Sequence, residues 1–166
     1  STNEGIEIEL NYLVTDNFRI DANIATQDHK YDVFLWDETP NDGIDNPTDF
    51  SGFELPFSPE LSWGLSLTYD QDLGANGSLT YNVLGNYQDE AQTQPTNPIY
   101  SQLEDRTLVD ANITWRNVDD TYYVTVYGKN LTDETYRVGS NSVAGLWNFT
   151  LYGEPMEYGI EAGYRW

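Results

Sequence analysis

The sequence predicts an all-β fold: a segment of an antiparallel transmembrane β-barrel with about seven strands, short turns at one end and long loops at the other. Three observations carry that expectation. Apolar and polar residues alternate with period two in one segment after another, and no stretch shows the period of an amphipathic helix. The connections alternate short and long, as outer-membrane barrels alternate short periplasmic turns with longer extracellular loops. The apolar face also meets Tyr or Trp near strand ends (Tyr12, Tyr69, Tyr87, Trp115, Tyr122 and Trp166), where bilayer meets water.

In chain order, "GIEIELNYLV" (5–14) places Ile6, Ile8, Leu10 and Tyr12 on one face and Glu7, Glu9 and Asn11 on the other. "FRIDANIATQ" (18–27) opposes Phe18, Ile20, Ala22 and Ile24 to Arg19, Asp21, Asn23 and Ala25. "LSWGLSLTYD" (61–70) opposes Leu61, Trp63, Leu65, Leu67 and Tyr69 to Ser62, Gly64, Ser66 and Thr68. "SLTYNVLGNYQ" (78–88) opposes Leu79, Tyr81, Val83, Gly85 and Tyr87 to Thr80, Asn82, Leu84 and Asn86. "LVDANITWR" (108–116) sets Val109, Ala111, Ile113 and Trp115 against Asp110, Asn112, Thr114 and Arg116. "TYYVTVYGKNLTD" (121–133) adds Tyr122, Val124 and Val126, and the final stretch adds Tyr158, Ile160, Ala162, Tyr164 and Trp166. Short links fall at 15–17, 73–77 and 118–120, long ones at about 28–60, 89–105 and 132–154. The long ones hold "TPNDGIDNP", "QPTNPIY" and "VGSNSVAG", rich in residues that strand interiors reject. A soluble sandwich would also alternate, but would scatter its loop lengths.

Composition narrows the function. With 28 acidic against 7 basic side chains and a net charge of −21, the chain would repel nucleic acid and anionic headgroups. Its 14% aromatic content separates it from disordered chains of similar charge. There is no cysteine, hence no disulfide or thiolate chemistry. "STNEGIEIEL" lacks the basic start and apolar middle of a signal peptide, so an exported chain would begin upstream of Ser1.

No catalysis is expected. His29 is the sole histidine, without a Ser-His-Asp order or an HExxH motif, and no cofactor pattern stands out. The acidic loop holding Asp37, Asp42 and Asp45 offers oxygens of the kind calcium takes. It does not follow the DxDxDG spacing, and a solvated loop is expected rather than a metal site. Aromatics of the long loops, among them Trp36, Phe53, Tyr100 and Trp147, are candidates for ligand contact, with mutual packing the plainer role.

"VYGKNLTDETY" (126–136) followed by "YGEPMEYGIEAGYRW" (152–166) resembles the last two strands of TonB-dependent outer-membrane receptors. "GIEIELNYLVTDNFRIDANIAT" and "LPFSPELSWGLSLTYD" extend the resemblance upstream. The motif residues are Lys129, Asn130, Leu131, Asp133 and Tyr136, then Gly153, Glu154 and Pro155. The resemblance implies a place in the outer membrane of a Gram-negative bacterium and uptake of a scarce nutrient, a ferric siderophore being the commonest. It also implies that Tyr158, Ile160, Ala162, Tyr164 and Trp166 form the signal read by the barrel-assembly machinery. The chain departs from the family at Met156, where Arg is common, and at Trp166, where Phe is usual. The plug, the TonB box and most of a barrel of roughly 22 strands are missing, so TonB would be met only through the absent plug. The other reading is a secreted or surface structural β-protein that assembles with copies of itself.

Seven hairpin-linked strands leave the first and last running in the same direction, so direct closure would require a parallel pair. An open edge in lipid strands its backbone groups. Residues 5–14 are therefore expected to pair with a preceding strand outside this sequence, and residues 156–166 with the barrel's first strand or with another chain.

Overall fold

The computed structural model describes residues 1–37, 46–96, 98–143 and 146–165. Its strands are β1 (Thr2–Thr15), β2 (Phe18–Lys30), β3 (Leu35–Trp36), β4 (Thr48–Asp49), β5 (Leu61–Asp72) and β6 (Ser78–Gln88). They continue with β7 (Ala91–Gln92), β8 (Gln102–Leu103), β9 (Arg106–Arg116), β10 (Tyr122–Lys129), β11 (Arg137–Val143), β12 (Trp147–Tyr152) and β13 (Glu157–Tyr164). The seven long segments read from the sequence form one antiparallel sheet in the order β1-β2-β5-β6-β9-β10-β13. Among the described residues β1 and β13 are its free edges, and no residue of 6–12 ladders to one of 158–164.

The turns at one end are tight for local reasons. Gly77 closes the 73–77 link at φ 89°, where a Cβ would overlap the Arg116 carbonyl. In the 117–121 link, Asn117 Oδ1 accepts from the N–H groups of Thr121 (2.8 Å) and Tyr122 (2.7 Å), an Asx arrangement that turns the chain without a glycine.

The alternation survives intact in the sheet. One hydrogen-bonded row runs Tyr12, Ile20, Leu67, Val83, Ala111, Gly128, Tyr158, all on the apolar face. Aromatic rings form two belts on that face: Tyr12, Tyr69, Tyr81, Trp115, Tyr122 and Tyr164 toward the turns, and Trp63, Tyr87 and Tyr158 toward the loops. The first belt descends from Tyr12 in that row to Tyr164, six residues along β13 from Tyr158, over six steps between strands. One residue per step, at about 3.3 Å rise against about 4.8 Å strand spacing, gives strands inclined by about 35° to the barrel axis.

The wall has no core of its own. Ile6 is 68% and Ile160 75% exposed, and the buried apolar residues Phe50, Ala91 and Leu103 all lie in the loops. No second large sheet packs across the wall among the described residues. The structure also corrects the loop reading of "VGSNSVAG". Arg137–Val143 pairs with Trp147–Tyr152 as a hairpin, its alternation carried by Trp147, Phe149 and Leu151 on the second strand.

Candidate functional site

The three long connections meet at one end of the wall. In the first, Tyr31 and Phe34 (4.6 Å between ring centroids), Phe34 and Phe50 (5.7 Å), and Phe50 and Phe53 (5.3 Å) form a ring cluster that Trp36 joins through Phe34 (6.4 Å). His29, 4% exposed, anchors the loop by accepting the Leu55 N–H at Nδ1 (3.1 Å). Asp49 accepts the Ser51 N–H (2.9 Å), and hydrogen bonding from Ser51, side chain first and then backbone, holds its carboxyl below the usual carboxylate range.

The second connection is the hub. The Phe57 N–H donates to Gln92 O (2.7 Å), tying the first loop to it. Ser101 is wholly buried, its hydroxyl near Pro98 O (2.7 Å) and Gln92 Oε1 (2.6 Å). The third connection docks by its polar side, with Ser140 Oγ donating to Tyr100 O (2.7 Å) and lying 3.1 Å from Thr93 Oγ1. Basic groups at this end are engaged: Arg106 donates to Gln88 Oε1 (2.6 Å) and stacks on Tyr136, Arg137 pairs with Glu104 (2.9 Å), and Lys129 pairs with Glu157 (2.7 Å).

The ligand-contact candidates stay apart as contacts. Trp36 and Phe53 belong to the first-loop cluster, Tyr100 lends its carbonyl to Ser140, and Trp147 lies against Phe149 (5.6 Å). Asp42 and Asp45 lie outside the described residues. Among the described residues no three acidic or histidine side chains are placed to hold a metal ion.

The motif residues form a junction between the last two wall strands. Asn130, 5% exposed with φ 46°, spends its whole amide there. Its Nδ2 donates to Glu134 O (2.8 Å) and Glu154 O (3.1 Å), while Oδ1 accepts the Glu134 N–H (2.9 Å). Its own N–H reaches Asp110 Oδ1 (2.8 Å), and the Leu131 N–H reaches Val109 O (2.8 Å). Gly128 makes room for Leu131, Gly153 lies under the Tyr136 ring, and Asp133 takes φ 52° in the following turn. Glu154 contributes its carbonyl, next to Pro155. The motif was legible in the sequence, but that Asn130 ties a turn to a segment 24 residues away was not. On β13, Tyr158, Ile160, Ala162 and Tyr164 share the apolar face, and Trp166 lies outside the described residues.

A single sheet with one apolar and one polar face, tight turns at one end and joined loops at the other, is the wall of a transmembrane β-barrel. The chain belongs to the TonB dependent receptor-like, beta-barrel family, which matches residues 1–131. No curated protein matches its sequence. Its fold resembles the ferric yersiniabactin uptake receptor FyuA of Yersinia pestis (TM-score 0.75, 17% identity), over 96% of this chain and 23% of that one. It is likewise similar to the siderophore receptor PiuA (0.75, 20%) and the ferric preacinetobactin receptor BauA (0.66, 20%), both of Acinetobacter baumannii, over 96% of this chain and 21% of each. The chain thus spans about a fifth of the length of these receptors, and the likeness in fold continues past residue 131. The family is one of receptors, not of enzymes.

Proposed function

We propose that this chain forms part of the wall and the extracellular loops of an outer-membrane receptor that takes up a ferric siderophore in a Gram-negative bacterium. The plug and remaining strands come from outside this sequence, and TonB acts through that plug. The observation that carries the reading is a receptor-family barrel wall whose solved fold relatives are siderophore receptors. Its apolar face meets lipid and its polar face the lumen. Uptake of radioactive iron from a panel of ferric siderophores tests it: deleting the gene should abolish uptake of at least one, and so should deleting TonB. Unchanged uptake of every siderophore on both deletions rejects it.

The last strand, Tyr158 to Trp166, serves in this reading as the assembly signal. Removing Trp166 should lower folded receptor in the outer membrane far more than it lowers stability in detergent. Equal amounts of folded wild type and truncation in cells would refute that role.

A further inference from the structure

On the apolar face one contact is specific to the register of the last strand, the Tyr122–Tyr164 ring pair at its turn end (5.1 Å between centroids), while the aliphatic positions above it discriminate little. A slip of one residue would turn Glu161 and Glu157 outward, which lipid opposes. A slip of two keeps every face: Val126 then meets Tyr158 or Ala162 in place of Ile160, one apolar neighbour for another.

The opposite face does discriminate. Tyr123 stands across from Gly163 and Tyr127 across from Gly159. A Cβ on Gly159 would lie 2.6 Å from Tyr127 Oη and 2.7 Å from its Cζ, and one on Gly163 would overlap the Tyr123 ring. The Tyr123 hydroxyl also donates to Glu161 Oε1 (2.7 Å), which limits how far that ring can swing aside. Glycine in a strand normally weakens it, but a ring laid across the bare backbone recovers the contact. A slip of two sets both tyrosines against charged residues: Glu161 and Glu157 in one direction, Arg165 and Glu161 in the other. A slip of four keeps only one of the two joints.

We infer that the Tyr123/Gly163 and Tyr127/Gly159 pairs are positioning residues that select the register of the final strand, a key built into the inward face. This does not depend on the assembly signal proposed above, and it operates without the assembly machinery.

The test is disulfide trapping in the full-length, otherwise cysteine-free chain folded into lipid vesicles. Val126→Cys is combined with Ile160→Cys for the native register, or with Tyr158→Cys or Ala162→Cys for the slipped ones. With both glycines present, the 126/160 cross-link should dominate. With Gly159→Ala and Gly163→Ala together, the ratio of native to slipped cross-links should fall about tenfold, within the coupling expected of side chains in contact. The exchange of Tyr127→Gly with Gly159→Tyr rebuilds the joint from the other strand and should restore both folding and the 126/160 cross-link. An alanine variant that folds as well as wild type and cross-links only at 126/160 would overturn the inference. If the alanine variant does not fold, the exchange decides: recovery supports the key, and failure like that of the alanine variant overturns it.

Discussion

On the apolar face, Val126 sits between Ile113 and Ile160, with Trp115, Ala111, Ala162 and Tyr158 as the next candidates along either neighbour. Directly behind it, on the polar face, contacts are specific. Thr114 and Thr125 share a 2.8 Å hydroxyl contact across β9 and β10, and Asn82 Nδ2 reaches Ser66 Oγ (3.2 Å) and Thr68 Oγ1 (3.0 Å). Lipid is an isotropic solvent that asks only for apolar surface. The lumen face, by contrast, is read pair by pair. Orientation of the wall therefore rests on the apolar face, and alignment of its strands on the polar face together with the belt pairs Trp63–Tyr87, Tyr69–Tyr81 and Tyr122–Tyr164.

That contrast can be broken first from the lipid side. Ile113→Arg, one step inside the Trp115 belt, should cost roughly 2–4 kcal/mol if it lies near the bilayer midplane. Unfolding from lipid vesicles measures it, and a cost no larger than that of Asn112→Arg on the other face would contradict the assignment of faces. Next comes the junction. Asn130→Ala leaves the Glu134 and Glu154 carbonyls without their donor and should lower stability by about 1–3 kcal/mol. Asn130→Gly, which suits φ 46° but has no amide, should recover only the backbone part; full recovery would make the turn conformation the whole effect. On the wall, Thr114→Val removes one hydroxyl of a shared pair, for about 1 kcal/mol. Adding Thr125→Val should cost little more, and an additive double variant would show that the pair contributes nothing jointly.

The smallest effect belongs to the first loop. Asp49 is more acidic folded than unfolded, so its contribution is complete above the ordinary carboxylate value of about 4. It is lost as the pH falls through the lower, folded value. Hydrogen exchange at Ser51 should quicken over that window relative to its intrinsic rate, and Asp49→Asn should flatten the profile. The same pH profile in both chains would remove Asp49 as the cause.

The sequence by itself determined which residues share a face, how many long strands there are, and which connections are tight. Each of these follows from period-two alternation and turn chemistry, which are properties of neighbours along the chain. It also displayed the stretches 129–136 and 153–155, whose Asn130 and Gly153 build the junction in this chain. Only the tertiary structure decided what required partners far apart in sequence: the β11–β12 hairpin, whose polar side is held by Thr93 and Tyr100; the hydrogen bond from the Leu55 N–H to buried His29; and the Tyr–Gly joints. A tyrosine and a glycine lying 32 or 40 residues apart carry no local signal of meeting. Their pairing exists only once the strands are aligned, and aligning them is what the pairing does.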